Sequence, residues 1–476
     1  MGVHDHQTAE EQALPQQADE LTALPSVDDL GEYVAKAPEE ELSNLLRLLH
    51  PADVADLLGE IDPEDHWPRV LELLPEPSLA HVLAEVEGGV EDDLIEYLSN
   101  ERLAGLMSYM DSDDATDLLA HFPEKVRTRL VAALKRSEPE EGAAVERLLQ
   151  YEEDTAGGIM QAELAAVRSS ATVGEAIAVI RRLDPEDGEH LHRIYITDDT
   201  ESLMGQVPLA TLALTDDSVS IASVMQPAQF RVTPEVDQEE VAALFAKYDL
   251  VTLPVVDAQG RLLGRIVHDD IFDVLEAEAD EDLMRMVGAS EEDLVYSDRI
   301  LKVSAMRLPW LAVTLLGTVA TGVLISIFKG TLDEVLALTF FIPAIMGMGG
   351  NVGIQSSTII TRGFATGRVD DENINKVFLK ELLVGVTMGL ACGLLVAGVA
   401  WVWQGDPILG VVVGLAMVSS MTAATTIGTL APATFKRLNI DPAIAAGPFV
   451  TTAVDLTGIV IYLGTATLFL ELLVHG

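Results

Sequence analysis

Residues 443–472 read AIAAGPFVTTAVDLTGIVIYLGTATLFLEL, an apolar run with the carboxylate of Asp455 near its middle. About 20 apolar residues are needed for a helix to cross the hydrocarbon core of a bilayer. Four further stretches of that length precede this one, at 308–328, 335–360, 382–403 and 407–431. The sequence therefore predicts an all-α transmembrane bundle, with five helices per chain, in residues 296–476.

Basic residues indicate the orientation of these helices. Of the ten basic residues from Arg299 onward, nine fall on one side of the predicted bundle and only Lys329 falls on the other. Because short loops rich in lysine and arginine stay in the cytoplasm, residues 1 to about 300 are predicted to be cytoplasmic and Gly476 to lie outside. The nine are Arg299, Lys302, Arg307, Arg362, Arg368, Lys376, Lys380, Lys436 and Arg437.

The charge of the chain is concentrated before the apolar half. The protein has 77 acidic and 29 basic residues, and from Arg299 onward the two kinds are equal at ten each. Such an excess of carboxylates repels nucleic acid and attracts cations, so divalent metal ions are the partners it suggests. Solubility alone remains an alternative explanation. The single cysteine, Cys392, excludes a disulfide framework.

Asp455 is the strongest functional signal in the apolar half. It follows Ala443 by 12 positions, which in a continuous helix corresponds to roughly 18 Å and a place near mid-membrane. No basic residue lies at comparable depth to pair with it, so a transported cation is its expected partner. A protonated Asp455 that bonds a neighbouring helix is the alternative. Thr451 and Thr452, one turn earlier, are expected to add oxygen atoms to the path.

The second apolar stretch contains the run MGMGGNVGIQ at 346–355. Asn351 and Gln355 are four residues apart and therefore share one helix face. They are predicted either to line a pore or to hydrogen-bond between helices, and spacing does not decide between these roles. The apolar half offers oxygen donors, has no histidine before His475 and has one cysteine. Such a set of ligands suits hard cations, above all Mg²⁺, although the chemistry does not exclude Ca²⁺, Mn²⁺ or Co²⁺.

Residues 151–268 contain an internal duplication. Met160, Val167 and Gly205 have counterparts about 60 to 65 positions later, at Met225, Val232 and Gly264. Each copy is predicted to form an extended start, a helix (173–183 and 238–248) and two strands around a turn. This pattern resembles tandem CBS domains, an α/β pair that often binds adenine nucleotides. The resemblance leaves ATP open as a regulatory ligand.

Residues 31–150 are predicted to form a helical superhelix, in which the phrase DLL recurs at Asp56 and Asp117. Residues 1–30 are predicted to be a disordered acidic N-terminus. Residues 269–295 are predicted to form a connecting helix with many acidic residues. Like charges at helical spacing repel each other unless a cation screens them, so this helix is either a metal sensor or an ordinary solvated face.

Three motifs in this order resemble the MgtE family of magnesium transporters. They are EDTAGGIM at 153–160, PAIMGMGGNVGIQ at 343–355 and NIDPAIAAGPFVTTAVD at 439–455. The resemblance implies a homodimeric, Mg²⁺-selective channel of the bacterial inner membrane, which cytosolic Mg²⁺ closes by holding the connecting "plug" helix against the pore. It places the pore ion at Asp455, with Gly447 among the pore-lining residues.

The same resemblance supplies the expected regulatory metal ligands. They are Asp249, Asp270, Asp273, Glu278, Glu281 and Asp282 near the connecting helix, and Asp113 and Asp117 in the helical domain. One departure from the family pattern is His268, where an aliphatic residue is expected before the acidic helix. This departure bears on the sensitivity of gating and leaves transport unaffected.

Two other functions compete with a channel. A membrane receptor would not need Asp455 aligned with Thr451 and Thr452. An exchanger that couples a divalent ion to Na⁺ or H⁺ would share the carboxylate, and the sequence alone does not distinguish it. No P-loop, G-x-S-x-G or metalloprotease helix is present, so no enzymatic activity is predicted.

Overall fold

The computed structural model describes residues 33–86, 88–183, 191–287, 300–370, 373–438 and 440–475. The chain divides into two compact units. The first unit comprises residues 1–238 and 250–268, and the second comprises residues 239–249 and 269–476. The predicted disordered start, 1–30, lies outside the described residues.

The first unit begins with a helical part. Proline stands at the first position of two of its helices, Pro51 and Pro139, where the missing N–H is no loss because it would have no partner within the helix. The helices are α1 Glu39–Leu48, α2 Pro51–Glu60, α3 Trp67–Leu73, α4 Glu76–Glu85, α5 Gly88–Tyr97, α6 Asn100–Leu106, α7 Ser112–Ala120, α8 Glu124–Ser137 and α9 Pro139–Leu148.

The repeated DLL phrase supplies the core of this helical part. Leu57 and Leu58 in α2 are at most 1% exposed, and Leu118 and Leu119 in α7 are at most 3% exposed. Trp67 is also buried, and its indole N–H donates to the carbonyl of Leu58 at 3.0 Å. Each leucine pair therefore anchors its helix, and the aspartate before it stays at the surface.

The rest of the first unit is α/β. In the first sheet β1 is parallel to β2 and β2 is antiparallel to β3, whereas β4 and β5 form an antiparallel pair. The elements are β1 Ala166–Arg168, α10 Val173–Ile180, β2 Arg193–Thr197, β3 Leu203–Pro208, α11 Leu209–Ala213, α12 Ile221–Val224, α13 Gln238–Tyr248, β4 Thr252–Val256 and β5 Leu262–Val267. Of these, α13 lies mainly within the second unit.

The predicted duplication is confirmed, and its two copies exchange their extended starts. Gln161, at the start of the first copy, pairs through the backbone with Arg265 of β5 at 2.7 and 3.0 Å. Gln226, at the start of the second copy, pairs in the same way with Gln206 of β3, at 2.9 Å in both directions. Each hairpin therefore receives its outer neighbour from the other copy.

The connecting helix, α14, runs over His268–Val287. The remainder of the predicted segment, 288–295, lies outside the described residues. The carboxyl end of α14 belongs to the same compact unit as the long apolar helices.

Five helices among the described residues are long and apolar enough to cross a membrane, as predicted. They are α15 Ile300–Ile327, α17 Ile342–Ala365, α18 Ile374–Gln404, α19 Pro407–Arg437 and α21 Val450–Leu468. The shorter elements around them are α16 Lys329–Glu334, a 3₁₀ turn at Leu336–Phe341, α20 Pro442–Ile444 and α22 Leu470–His475.

Small residues allow these helices to approach closely. A Cβ atom added at Gly389 of α18 would lie 3.0 Å from the Cα of Val418 in α19, and one at Gly393 would lie 2.8 Å from the carbonyl oxygen of Gly414. A Cβ at Gly353 of α17 would lie 2.9 Å from Val454 of α21. Lipid is as apolar as the side chains, so the hydrophobic effect does not drive helices together in a membrane. Close van der Waals packing of this kind therefore supplies much of the free energy of helix association.

Two of the long helices differ from the apolar stretches that predicted them in ways that concern the candidate site. The third helix starts at Ile374 rather than at 382, so Glu381 lies within it. The fifth is not continuous from 443, because Gly447 has non-helical angles (φ −91°, ψ −120°) within Ala445–Phe449 and Pro448 follows. The regular helix α21 begins only at Val450, so the 18 Å expected from a continuous helix does not apply to Asp455.

Candidate metal sites

Asp455 lies in the second turn of α21 and is partly buried. Within the described part of the chain, no group forms a hydrogen bond or an ion pair with its carboxylate. Its neighbour Val454 packs against Gly349 and Gly353 of α17, which places Asp455 close to the edge of the α17–α21 contact. A carboxylate here is chemically free to bind a cation.

The two threonines predicted to accompany Asp455 make different contacts. The Thr451 hydroxyl donates to the carbonyl oxygen of Gly447 at 3.2 Å, across the break before α21. Thr452 instead packs against Gly317 of α15. The structure therefore joins Thr451 to Gly447 and places Thr452 between two helices.

Asn351 and Gln355 are both exposed in the single chain, on one face of α17. Neither has a hydrogen-bond partner among the described residues. The opposite side of α17, at Gly349, Val352, Gly353 and Ser356, is buried. These two amides therefore lie on a polar face that the single chain leaves open.

The carboxyl end of α14 contacts the segment before α21. The Arg285 guanidinium pairs with Asp441 and with Glu281. Asp441 also accepts the N–H of Ala443 at 2.7 Å, which caps α20. A Cβ at Gly447 would overlap the carbonyl oxygen of Met286, so only glycine permits this close approach of α14.

Asp282 lies beside this ion pair. Burial, together with the carboxylates of Asp441 and Glu278, raises the pKa of Asp282 to about 6, and Arg362 and Arg285 oppose the shift. The contact therefore carries more negative than positive charge, and a divalent cation would relieve the imbalance.

The predicted regulatory carboxylates of this region do not form one cluster in the chain. Asp270 and Asp273 lie near the start of α14, and Asp282 lies nine or more positions further on, at least roughly 14 Å along the helix. Asp249 follows α13, where it is exposed and adopts a positive φ of 50°. Glu278 and Glu281 accompany Asp282 at the Arg285–Asp441 contact.

A second acidic cluster lies in the first unit, at the start of α7. Oxygen atoms of Asp111, Asp113 and Asp114 lie within 4.8 Å of one another, and no other group of three potential ligands this close occurs among the described residues. The hydroxyl of Ser112 donates to Glu163 at 2.8 Å and accepts the N–H of Ala162 at 2.8 Å. The cluster therefore bridges the helical and α/β parts.

Burial raises the pKa of two carboxyl groups of α7, those of Asp114 and Asp117. Desolvation, followed by Asp111, Asp117 and other nearby carboxylates, raises the pKa of Asp114 to about 7. Desolvation and then Glu153 raise the pKa of Asp117 to about 6. More than a third of Asp117 is exposed, so solvent screening weakens its shift, and the expected pH dependence rests on Asp114.

The α/β part also contains a cleft of about 390 Å³. Beside it the buried Tyr195 hydroxyl donates to Thr252 at 3.3 Å. The lining combines amides, one aromatic ring and one guanidinium, from Arg193, Gln206, Gln226, Pro227, Gln229, Phe230, Leu250, Thr252 and Pro254.

The helical part, the α/β part and the long apolar helices all match known protein families. Residues 342–465 match the family described as MgtE, divalent cation transporter, residues 49–154 match the MgtE intracellular N domain, and residues 221–277 match a CBS domain. The magnesium transporter MgtE of Thermus thermophilus is 37% identical over 447 residues, which cover 93% of this chain and 98% of that protein. This chain belongs to the MgtE family.

Other MgtE proteins are similar over comparable lengths. The magnesium transporter MgtE of Bacillus subtilis is 31% identical and covers 89% of this chain and 92% of its own length. Among solved structures, the cytosolic domain of the Mg²⁺ channel MgtE in complex with ATP is 35% identical, with a TM-score of 0.48, and covers 52% of this chain and 100% of its own.

Several site residues of this MgtE protein were missed from the sequence. Asp114 joins a local cluster at the start of α7, whereas Glu163, Arg285 and Asp441 join their clusters only through the tertiary fold. Two signals were available: the run DSDD at 111–114, and the single Arg285 among the carboxylates of α14.

Mg²⁺ should stabilise this MgtE protein less at pH 6 than at pH 8. Because the pKa of Asp114 is raised to about 7, this group gains a proton over that interval and binds a cation more weakly. Without Mg²⁺, stability should rise as the pH falls from 8, since the folded state takes up the proton before the unfolded state does. Thermal unfolding with and without Mg²⁺ measures both effects.

The variant Asp114→Asn should lose most of this pH dependence, whereas Asp53→Asn, at an exposed carboxylate of α2, should retain it. Equal stabilisation by Mg²⁺ at both pH values in the unmodified protein would contradict the assignment.

Proposed function

We propose that this multi-pass membrane protein transports Mg²⁺ through a channel that passes Asp455. The observation that carries the proposal is the Asp455 carboxylate, which has no partner among the described residues and lies in a helix able to span a membrane. An unpaired charge there costs ~2.5–3.5 kcal/mol on insertion scales. A hydrated cation in the path offsets this cost, and Mg²⁺ is bound through few carboxylates while it keeps several waters.

Two copies of the chain complete the path. The polar face of Asn351 and Gln355 is open in the single chain, and a symmetry-related copy would enclose it so that one Asp455 from each chain faces a common axis. A homodimer is thus the proposed active form. The close approach of α17 and α21 at Gly353 keeps the residues of this path on neighbouring helices.

Cytosolic Mg²⁺ closes the channel through α14. The contact of Met286 with Gly447 places the end of α14 directly before the helix that carries Asp455. Carboxylates at this contact exceed the basic groups, so Mg²⁺ bound beside Asp282 and Asp441 favours the docked, closed arrangement. When Mg²⁺ is scarce, repulsion releases α14 and the path opens.

The cluster of Asp111, Asp113 and Asp114 is a second regulatory Mg²⁺ site. Its oxygen atoms are close enough for one cation, and Glu163 and Asp117 add negative charge nearby. Occupation of this site would hold the helical part against the start of the α/β part through Ser112. We place both parts in the bacterial cytosol, with the N-terminus inside and the C-terminus outside the inner membrane, on the positive-inside rule.

ATP is the proposed ligand of the α/β cleft. Its volume of about 390 Å³ suits a nucleoside, Phe230 offers a ring for base stacking, and Gln206 and Gln226 offer amides for the base or ribose. Arg193 supplies the positive charge that a phosphate group requires. The nucleotide would act as a regulator, since no residues for its hydrolysis are apparent in the sequence.

Asp455→Ala should reduce Mg²⁺ flux into proteoliposomes by at least roughly tenfold, because the carboxylate that replaces part of the hydration shell of the ion is lost. A fluorescent Mg²⁺ indicator inside the liposomes measures the flux. Asp333→Asn, at an exposed carboxylate of α16, is the matched control and should conduct normally. Undiminished flux through Asp455→Ala would remove Asp455 from the path.

Arg285→Gln should raise the cytosolic Mg²⁺ concentration that closes the channel by roughly two- to fivefold, the effect of losing a partly exposed ion pair. Flux recorded over a series of Mg²⁺ concentrations gives the midpoint. Arg261→Gln, which breaks the exposed pair with Asp257, should leave the midpoint in place. An unchanged midpoint in Arg285→Gln would mean that its pairing with Asp441 has no part in closure.

Phe230→Ala should weaken ATP binding to the full-length protein by roughly three- to tenfold, in line with the loss of one aromatic contact. Isothermal titration calorimetry measures the affinity. Tyr109→Ala, which removes a half-exposed ring of the helical part, serves as the control. Absence of binding at millimolar ATP in the unmodified protein would rule out the cleft as a nucleotide site.

A further inference from the structure

A second carboxylate lies within the five long helices. Among their described residues the acidic side chains are Asp455 and Glu381. Glu381 is in the second turn of α18, and only 7% of it is exposed. No basic side chain forms an ion pair with it in the part of the chain that the structure describes. Such a group is costly in lipid and calls for a specific role.

The partner of Glu381 is on the helix that carries the polar face. The hydroxyl of Ser356 in α17 donates to Oε2 of Glu381 at 3.0 Å, and both residues are buried. Ser356 directly follows Gln355 in the chain. The hydrogen bond therefore ties the back of α17 to α18 at the level of the exposed amide of Gln355.

Glycines allow this contact to form. A Cβ at Gly428 of α19 would overlap the carbonyl oxygen of Gly353 and lie 3.1 Å from Ser356. A Cβ at Gly385, one turn after Glu381, would overlap Thr425 of α19. The three helices α17, α18 and α19 thus approach closely around the Glu381–Ser356 bond, and a small rotation of α17 would break it.

The surroundings of Glu381 distinguish it from an ion ligand. A group that binds a passing cation must face the path, as Asn351 and Gln355 do with their exposed side chains. Glu381 instead faces the interior of the bundle, and one of its oxygens already accepts from Ser356. Its contact acts on the orientation of α17.

We propose that Glu381 is a positioning residue for ion selection: through Ser356 it fixes the rotation of α17 and thereby the place of Asn351 and Gln355 in the path. This inference rests on the proposed channel function and extends it to a residue outside the path. The Ser356 hydroxyl requires an acceptor oxygen at position 381, and the amide oxygen of glutamine can provide it. Glu381→Gln should therefore keep this hydrogen bond.

Fluxes of Mg²⁺ and Ca²⁺ into liposomes that carry the full-length protein test the proposal. Glu381→Met and Ser356→Ala should each lower the ratio of Mg²⁺ to Ca²⁺ flux by roughly tenfold, the effect of losing one hydrogen bond to a charged group. Glu381→Gln should stay within about twofold of the unmodified ratio. The double variant Glu381→Met/Ser356→Ala should resemble each single variant, since both remove the same bond.

The ratio separates positioning from simple loss of folded protein, which would lower both fluxes equally and leave the ratio unchanged. The control is Ser419→Ala, because among the described residues the Ser419 hydroxyl donates only to the carbonyl of Leu415 in its own helix, at 3.0 Å. A Glu381→Gln variant as impaired as Glu381→Met would overturn the proposal, because charge rather than an acceptor would then be required. An unaltered ratio in Ser356→Ala would overturn it as well.

The unmodified protein and Asp455→Ala are measured alongside. Absence of Mg²⁺ flux through the unmodified protein would defeat the channel function itself. If Mg²⁺ flux is present and depends on Asp455 while the Glu381 and Ser356 variants keep the ratio, only the positioning role fails.

Discussion

Neighbouring carboxylates repel one another, and this chain places several of them close together with few basic groups nearby to neutralise their charge. Asp111, Asp113 and Asp114 share the start of one helix, and Asp282 lies beside Asp441. Burial adds to the repulsion and raises the pKa of Asp114 to about 7. Such groups persist in a fold only where packing holds them or a cation balances them. Buried leucines supply the packing around α7, and Arg285 supplies part of the charge at the end of α14.

The break at Gly447 connects the acidic connecting helix to the long apolar helices. Pro448 cannot continue the backbone pattern of the preceding turn, and Gly447 adopts angles that place its backbone against Met286. Thr451, in the first turn of α21, donates its hydroxyl to the carbonyl of Gly447, which also accepts the N–H of Val450. One irregular turn thus contacts the end of α14 and directly precedes the helix that carries Asp455.

The sequence was sufficient for the elements whose signal is local. The length of the apolar stretches predicted the five long helices, and self-similarity predicted the paired α/β modules. The start of α18 was placed too late because Lys376, Lys380 and Glu381 interrupt the apolar pattern, although packing buries Glu381. The break before α21 was missed because glycine and proline also occur within continuous membrane helices.

Contacts between distant positions could not be predicted from one sequence. Arg285 and Asp441 are 156 positions apart, and Ser112 and Glu163 are 51 apart. Local patterns do not encode such pairs, because each depends on where whole elements pack. The candidate residues near Asp455 and along α14 were named from motif and charge, but their actual partners follow only from the fold.

The exchange of extended starts between the two α/β copies bears on the history and cooperativity of this region. Gln161 pairs with the hairpin of the second copy and Gln226 with that of the first, so a single copy cut from the chain would leave its hairpin edge bare. Two identical short chains could satisfy each other in the same way, which makes a symmetric dimer of single modules a natural ancestor before gene fusion. In the present protein each half completes the sheet edge of the other, so we expect the two halves to unfold as one cooperative unit.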